Sequence, residues 1–336
     1  NATILDGQII QRTLHQASDK HFKYSLDPMH YAIYDGLTIR NGFAHKNFGA
    51  NVLMRKGELR NSIIEKGEVI EGGSTNFESS IGGAGIYSAG AANEVSVINS
   101  VIRNNKTVNA CGGGYYGAIT FRNCLINNNS SVLDQQYDGI PGGATDLVGS
   151  VASKVGTCGA GSSAGNKSVS QHYNSTIVNN FADVSCGGVN QYGIIVNSIL
   201  WGNKESGGLV SNIETDAYNL MNIIYSAIEG GYSREGVISL NMDNDGEDNV
   251  NYPKFVNPTI AAGVGNYGDG DWRLQDGSVC VNRGVNAQAF GNIDLDGNPR
   301  IVNDSIDFGA YESNYELNHQ IVPDANDIIY VTQTGA

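Results

Sequence analysis

The sequence predicts an all-β protein: a right-handed, single-stranded parallel β-helix, which is a solenoid, with a C-terminal cap that does not repeat. Three observations predict this fold, namely a recurring Asn-containing phrase, a repeat period of roughly two dozen residues, and short apolar runs bounded by Gly and Asn. Repeats of this length stack as successive units of a single array. We therefore expect the chain of 336 residues to extend as one body and not to divide into two globular domains.

The recurring phrase consists of an apolar residue, any residue, Asn, Ser or Cys, and two apolar residues, followed by polar, Asn-rich positions. Its copies occupy 59–67, 97–105, 121–129, 172–180 and 195–203, with a blurred copy at 223–231 and an earlier relative at 34–42. From Asn61 onward, successive Asn residues of the phrase are 38, 24, 51 and 23 residues apart. We interpret the spacing of 38 as one period with an insertion, and the spacing of 51 as two periods with a degenerate copy between them.

The apolar runs indicate strands and not helices, because they are short, rich in Ile and Val, and bounded by Gly and Asn. In each predicted coil we expect the recurring Asn to form a ladder at one corner, with its side chain bonding backbone groups of the turn. The apolar residues two and three positions after this Asn are predicted to fill the interior and a neighbouring face. Gly pairs that run out of phase with the Asn mark further corners.

Composition and charge exclude some classes of binding partner. The chain contains 44 Gly, only 6 Pro and 16% charged residues, as expected for stacked polar coils. Its net charge of −14 argues against nucleic acid and anionic membranes as partners, and mildly against a highly acidic polysaccharide. No run of about 18 apolar residues occurs, so no transmembrane segment is predicted. The opening residues are similar to the middle of a coil, which predicts a trimmed or mature fragment.

The cysteines are too few for a disulfide framework. Cys111, Cys158 and Cys186 each precede a Gly, which places them at the same point of different coils. Neighbouring coils could bring Cys158 and Cys186 within disulfide range, and a reduced column of small apolar side chains is the alternative. Cys124 replaces the Ser of the recurring phrase and is expected to lie in the core.

The C-terminal quarter does not copy the repeat. It contains Phe-Val-Asn-Pro at 255–258, Trp-Arg-Leu at 272–274, Asp-Leu-Asp-Gly-Asn-Pro-Arg at 294–300 and Asp-Phe-Gly-Ala-Tyr-Glu at 307–312. These phrases, in this order, resemble the choice-of-anchor Q domain, which occurs near the C-terminus of secreted, surface-attached bacterial proteins. One departure is Val279, where that family usually has Pro.

The coils at 30–240 resemble the pectin-lyase-like β-helix superfamily, and their Gly-Gly-Ala phrases are similar to repeats of bacterial polymorphic outer-membrane proteins. The resemblances imply an exported protein at the cell surface of a Bacteroides-like bacterium. They divide the chain into β-helix coils at 1–250, a choice-of-anchor Q-like segment at 251–320 that packs on the last coils, and a segment at 321–336. The last segment resembles the first strand of another β-helix, which implies a longer tandem chain.

The insertion at 132–150 is the predicted sugar-contacting protrusion. It carries a tyrosine that offers a stacking face and three aspartates that accept bonds from hydroxyl groups: Asp134, Tyr137, Asp138 and Asp146. Converging aspartates are also what a polygalacturonase-type hydrolase needs. The alternative interpretation is a Gly-rich surface loop with ordinary polar residues.

An acidic run is the predicted metal site. Oxygen ligands alternate around a Gly turn, as in a short calcium loop, at Asp243, Asp245, Glu247 and Asp248. The alternative is a plain acidic turn that joins the solenoid to the cap. Asp294 and Asp296 are interpreted as structural groups that bond the turn at Gly297.

The sequence contains no convincing catalytic constellation. A pectate-lyase-type mechanism needs carboxylates that hold Ca²⁺ beside a basic residue, and the candidates Arg103, Arg122 and Lys167 are interpreted as solvated edge charges. The Gly-x-Ser-x-Gly match at 161–165 lies in a small-residue loop and not between a strand and a helix. No motif supports the peptidase activity, such as that of immunoglobulin A protease, with which some related β-helix proteins are labelled.

We therefore expect an exported, surface-associated binding or scaffold module that interacts with a polysaccharide or host glycan and is not catalytic. The alternatives are a polysaccharide lyase or glycoside hydrolase of the same fold, and an adhesin toward a host protein. Because the recurring residues build the scaffold, function is expected where the repeat is interrupted, at 70–82, 132–158 and 204–219.

Overall fold

The protein is a parallel β-helix, as the sequence predicts. The computed structural model describes residues 3–6, 31–45, 49–70, 82–88, 93–108, 110, 112–132, 162–163, 170–183, 187–190, 193–205, 208–213, 221–240, 251–259 and 269–313. Parallel strands stack into four long sheets of nine, seven, six and five strands. A single 3-10 turn, Asn286–Gln288, interrupts this all-β architecture in the described part of the chain.

Each complete coil contributes one strand to each of four sheets, in the order B, A, C and D. Sheet A consists in stacking order of β1 (Thr3–Asp6), β3 (Leu37–Arg40), β7 (Ile63–Glu65), β11 (Val101–Arg103), β15 (Leu125–Asn127), β19 (Thr176–Val178), β23 (Ile199–Trp201), β26 (Ala227–Glu229) and β27 (Ile238–Leu240). Sheet B consists of β2 (Ala32–Asp35), β6 (Gly57–Arg60), β10 (Val95–Ile98), β14 (Thr120–Arg122), β18 (Ser170–Tyr173), β22 (Gly193–Val196) and β25 (Met221–Ile224).

The other two parallel sheets close the coil. Sheet C consists of β4 (Phe43–His45), β8 (Glu68–Ile70), β12 (Lys106–Val108), β16 (Ser130–Val132), β20 (Phe181–Ala182) and β24 (Lys204–Glu205). Sheet D consists of β5 (Val52–Met54), β9 (Ile86–Ser88), β13 (Tyr115–Tyr116), β17 (Ser162–Ser163) and β21 (Val189–Asn190). An antiparallel pair, β28 (Phe255–Asn257) and β29 (Asp271–Leu274), lies in the C-terminal quarter.

The recurring Asn forms the corner between sheets B and A. Every copy adopts the left-handed backbone region, with φ of 47°, 45°, 51°, 50° and 50° at Asn61, Asn99, Asn123, Asn174 and Asn197. Asn tolerates this region better than other residues with a side chain, because its short polar group can bond locally. In the blurred copy Tyr225 takes the same conformation, with φ of 46°. The conformation of the corner therefore explains why Asn recurs.

From the sequence we expect the recurring corner Asn to form the ladder. The continuous Asn ladder is instead formed by the Asn six positions later. Asn105 donates to Asn129 at 3.0 Å, Asn129 to Asn180 at 3.0 Å, and Asn180 to Asn203 at 2.8 Å. All four side chains are buried inside the coil. The corner Asn residues instead bond neighbouring coils and the C-terminal segment, as Asn123 does to Asn99.

The apolar positions of the phrase behave as predicted. The residue three positions after the recurring Asn is fully buried in the main core at Ile64, Ile102, Ile126, Ile177 and Leu200. The residue two positions after it lies on the outer face of sheet A, where Val101, Leu125 and Ile199 pack against the C-terminal segment. Cys124 is buried as expected, and its Sγ donates to Val97 O at 3.3 Å.

The spacing of 51 residues is one coil and not two. Strand β14 pairs directly with β18, with Phe121 opposite His172, and Asn129 bonds Asn180 across the same step. The two periods inferred from the sequence are therefore a single coil with an insertion between β16 and β17. The spacing of 38 is one coil with an insertion, as predicted, because β6 pairs directly with β10.

Residues 251–259 and 269–313, here together called the C-terminal segment, cover the outer face of sheet A. Trp272 and Phe255 pack edge to face, with ring centroids 5.2 Å apart, and both contact Trp201 of β23. The contacts extend from Arg103 in β11 to Leu240 in β27, so the segment lies along the side of the β-helix as well as on its last coils.

The cysteines of the described residues are buried thiols. Cys111, Cys158 and Cys186 lie outside the described residues, so their pairing stays a prediction. Cys124 and Cys280 are free and buried, and burial raises the pKa of each thiol to about 12.

Among the described residues, no helix combines the length and the apolar character that a membrane crossing requires.

Candidate functional site

The outer face of sheet B presents a connected set of polar and aromatic side chains. Successive residues of a strand point to opposite sides, and the inward positions of this sheet, such as Leu59 and Val97, are fully buried. The C-terminal segment covers the outer face of sheet A. The outer face of sheet B, in contrast, carries several partly or fully exposed side chains. We call this surface the sheet B face; it comprises Tyr31, Glu58, Arg60, Asn93, Ser96, Arg122, Gln171 and Tyr173.

The N-terminal part of the sheet B face is organised around Glu58. The Tyr31 hydroxyl donates to Glu58 Oε1, and Arg60 Nε donates to Glu58 Oε2 at 2.6 Å. Burial alone would raise the pKa of Glu58, but the bonds from Tyr31 and Arg60 outweigh it and lower this pKa. Tyr31 leaves half of its surface in solvent, at 52% exposure, and so does the neighbouring Ile33. Glu58 is thus a carboxylate held in place beside exposed apolar surface.

The central part of the face is a chain of amide and hydroxyl groups. The Tyr173 hydroxyl donates to Gln171 Oε1 at 3.2 Å, and Gln171 Nε2 donates to Asn93 Oδ1 at 2.7 Å. Thr120, which pairs with Gln171 across the strands, also donates to Asn93 Oδ1, at 3.5 Å. These bonds fix the orientation of Asn93, Gln171 and Tyr173, which remain partly or fully exposed, whereas Thr120 is buried.

Arg122 lies beside this chain and between two aromatic rings. Its guanidinium carbon is 4.3 Å from the centroid of Phe290 and 5.9 Å from that of Tyr173. Nη1 of Arg122 donates to Ser96 Oγ at 3.3 Å. Arg122, interpreted from the sequence as a solvated edge charge, is partly exposed in the structure and is also stacked and hydrogen-bonded. Its charge also helps to lower the pKa of Glu58.

The arrangement suits a ligand with many hydroxyl groups. Arg60, Arg122 and the Gln171 amide supply donors, while Glu58 and Asn93 supply acceptors. Tyr31 and Tyr173 add apolar ring faces with a polar tip. The carboxylates Glu58 and Asp35 already accept hydrogen bonds, from Tyr31 and Arg60 and from Asn61 respectively. Both carboxylates are therefore held by neighbouring side chains, and the face offers hydrogen-bond donors and acceptors together.

The predicted sugar-contacting residues Asp134, Tyr137, Asp138 and Asp146 lie outside the described residues. In the chain they fall between β16 of sheet C and β17 of sheet D. Their role in sugar contact stays a prediction.

The predicted calcium ligands Asp243, Asp245, Glu247 and Asp248 also lie outside the described residues, in the stretch after β27. Within the part of the chain that the structure describes, no group of three or more His, Cys, Asp or Glu side chains could hold a metal ion. Calcium binding by the acidic run stays a prediction.

The other residues considered as catalytic candidates are Arg103, Lys167 and the serines at 162–163. Arg103 pairs with Glu65 at 2.9 Å and with Asp269 at 2.8 Å, so it joins sheet A to the C-terminal segment and is not a solvated edge charge. Lys167 lies outside the described residues. Ser162 and Ser163 form a strand that pairs with β13 on one side and β21 on the other, which agrees with rejecting a nucleophile elbow.

Asp294 is structural, as predicted. Its carboxylate is buried and accepts bonds from the backbone N–H groups of Asp296, Asn298 and Glu312, at 3.0, 2.7 and 2.8 Å. These bonds close the turn that contains Gly297, whose φ is 85°. Asp296 reaches outward and accepts from Arg273 Nη2 at 2.9 Å.

The sheet B face has a signal in the sequence that lies within the repeat and not at its interruptions. The residues one and three positions before each recurring Asn point outward from sheet B. In three coils these pairs are polar or aromatic: Glu58 and Arg60, Thr120 and Arg122, and Gln171 and Tyr173. Alternation with the buried positions between them marks one sheet face as exposed. Phe290, by contrast, has no such signal, because a segment distant in sequence brings it to the face.

The fold and this face define the chain as a parallel β-helix protein with an exposed polar and aromatic sheet surface. Comparison with family models, with curated proteins and with solved structures gives no match. The resemblance to the choice-of-anchor Q domain and to the pectin-lyase-like superfamily therefore stays a prediction.

Proposed function

We propose that the protein is an exported, surface-associated β-helix that binds glycans on the sheet B face without cleaving them. One observation carries this proposal: partly exposed donors and acceptors held by hydrogen bonds, together with the Tyr173 ring, lie side by side on the outer face of β6, β10, β14 and β18. Sugars present hydroxyl groups around the ring and C–H groups on its faces, and this surface offers partners for both. The location at a bacterial cell surface rests on the resemblance of the C-terminal quarter to the choice-of-anchor Q domain.

The shape of the surface supports an extended ligand. Neighbouring strands lie about 4.8 Å apart, so the four strands from β6 to β18 place their outward side chains over roughly three such spacings. A ligand that contacts both Glu58 and Tyr173 must cross these coils along the axis of the β-helix. An oligosaccharide chain meets this requirement, whereas a monosaccharide is too short.

Titration calorimetry against a panel of neutral and acidic polysaccharides tests the proposal. We expect the wild-type chain to bind one or more of them, and Tyr173→Ala to weaken that binding by roughly tenfold, which corresponds to about 1.4 kcal/mol. Tyr252→Ala is the matched control, because it removes a partly exposed tyrosine ring that lies outside the sheet B face. Equal losses in both variants would contradict a site on this face.

The same panel separates binding from catalysis. A non-catalytic module leaves the polysaccharide intact, so neither unsaturated nor new reducing ends should accumulate during a long incubation. Release of either product by wild-type protein would contradict the proposal and favour a lyase or a hydrolase. An affinity for a host protein with no affinity for any glycan would favour an adhesin.

A further inference from the structure

Several arginines form ion pairs among the described residues, and Arg122 does not. Arg60 pairs with Glu58, Arg103 with Glu65 and Asp269, and Arg273 with Asp271 and Asp296. Among the residues that the structure describes, no carboxylate forms an ion pair with Arg122. Its guanidinium instead contacts two aromatic rings and one serine hydroxyl. Arg122 is therefore a held cation in the middle of the sheet B face that makes no direct ion pair among the described residues, with Glu58 as a more distant counter-charge.

The two rings restrict how Arg122 can bind a ligand. Phe290 and Tyr173 contact the guanidinium, at 4.3 and 5.9 Å from their centroids, and the Ser96 hydroxyl accepts from Nη1. A guanidinium has five donors in a rigid planar fork, which matches the oxygen atoms of a carboxylate or a similar oxyanion. Holding the group in one orientation reduces the entropy lost when a ligand binds.

Phe290 comes from the C-terminal segment and is itself fixed. Nδ2 of Asn123 donates to the carbonyl oxygens of Phe290 and Ile293, both at 3.0 Å. Asn123 follows Arg122 directly in the chain, so one corner of the β-helix holds both the cation and the loop that carries its aromatic neighbour. The C-terminal segment thus supplies part of the sheet B face in addition to covering sheet A.

We propose that Arg122 recognises an anionic group of the bound glycan, a carboxylate or a sulfate ester, and that Phe290 is a positioning residue for this contact. The inference rests on the proposed glycan binding and adds the ligand class to it. The net charge of −14 repels an anionic chain at long range, but physiological salt screens exposed charges that lie more than about 8 Å apart. Selection therefore depends on the local charge of Arg122.

Paired ligands test this inference without altering the protein. Hyaluronan and its carboxyl-reduced form differ in the carboxylate, and chondroitin sulfate and desulfated chondroitin differ in the sulfate ester. We expect one anionic member to bind at least tenfold more tightly than its modified partner, and the pair that responds identifies the anionic group. Equal affinity within both pairs, or binding of uncharged polysaccharides alone, would overturn the inference while leaving glycan binding intact.

Variants then locate the contact. Arg122→Gln should remove most of the preference for the anionic form, and Arg122→Lys should restore only part of it because an ammonium lacks the planar fork. Phe290→Leu should reduce the preference while the unfolding temperature stays near that of the wild type. Arg283→Gln is the matched control, since it removes an exposed arginine outside the face.

The outcomes separate the two proposals. An unchanged preference in Arg122→Gln would overturn the role of Arg122, although glycan binding would stand. Failure of every glycan to bind the wild-type chain would contradict both. If Arg122→Gln does not fold, the comparison of paired ligands on the wild-type chain still decides whether an anionic group is recognised.

Discussion

At the scale of the residue, two buried polar features organise the interior. The Asn ladder runs in one direction, because each Nδ2 donates to the Oδ1 of the next Asn, from Asn51 to Asn212. Asn212 then donates to the buried carboxylate of Glu229, at 3.3 Å. Burial raises the pKa of Glu229, although bonds from the Gly202 N–H and from Asn212 act against this shift. Aligned hydrogen bonds of this kind polarise and strengthen one another.

Removing one member of the ladder should destabilise the fold strongly. Asn129 bonds Asn105 and Asn180, and its Nδ2 also donates to Ile102 O at 3.0 Å. Asn129→Ala leaves buried polar groups without partners, so we expect a loss of about 2–4 kcal/mol in the free energy of unfolding. Urea denaturation measures this loss. The control Asn222→Ala, at an exposed position of β25, should change stability by less than about 0.5 kcal/mol.

The second buried feature is the Tyr115–His172 pair. The Tyr115 hydroxyl lies 2.7 Å from His172 Nε2, and the imidazole stacks on Phe121 with ring centroids 5.0 Å apart. Both side chains are fully buried, and burial lowers the pKa of His172 to about 3. The imidazole is therefore neutral in the folded chain at physiological pH.

This lowered pKa predicts a pH dependence of stability. Between pH 3 and 6.5 the unfolded chain binds a proton at His172 that the folded chain does not. The contribution of this residue to stability is therefore fully present above pH 6.5 and is lost as the pH falls, by up to about 1.4 kcal/mol per pH unit. Measurements at several pH values should show this slope in the wild type and its loss in His172→Gln. Titration of the His172 imidazole itself near pH 6.5 in NMR spectra of the folded protein would contradict this assignment.

At the scale of the element, the C-terminal segment stabilises sheet A through one apolar cluster and several polar bonds. Trp272, Phe255 and Phe308 are buried against β23 and β15. Nδ2 of Asn197 donates to Val285 O at 3.1 Å, while its Oδ1 accepts from the Val285 N–H at 2.9 Å. A corner residue of the β-helix thus pairs with the backbone of the segment as a sheet neighbour would.

The segment should therefore contribute measurably to stability. Trp272→Ala removes the largest fully buried side chain of the cluster, and we expect it to cost about 3–5 kcal/mol. Thermal and urea unfolding measure this cost. Val256→Ala is the control in the same segment, because Val256 is 47% exposed and should change stability little. Similar losses in both variants would contradict tight packing on sheet A.

The strands could be predicted from the sequence, but their connections could not. Short Ile- and Val-rich runs at a regular period define strands in any solenoid. The arithmetic of a 51-residue spacing allows either two coils or one coil with an insertion, and only the pairing of Phe121 with His172 decides. Similarly, the phrase contains several Asn residues, and the backbone conformation determines which of them turns inward.

At the scale of the whole molecule, each face of the β-helix has a different role. The C-terminal segment covers sheet A, the insertion falls in the chain between β16 of sheet C and β17 of sheet D, and sheet B carries the exposed polar and aromatic surface. From the sequence we expect function at the interruptions of the repeat, whereas the proposed binding surface, the sheet B face, consists of residues within the repeating coils. The contact of Phe290 with Arg122 could not be predicted, because the two residues are 168 positions apart in the chain.

A crystal structure of the protein with a bound oligosaccharide tests the central claim most directly. The account predicts sugar rings along the axis of the β-helix over β6, β10, β14 and β18, in contact with Tyr173 and Gln171 and with an anionic group at Arg122. A ligand held by the insertion at 132–150, with the sheet B face left empty, would contradict this prediction.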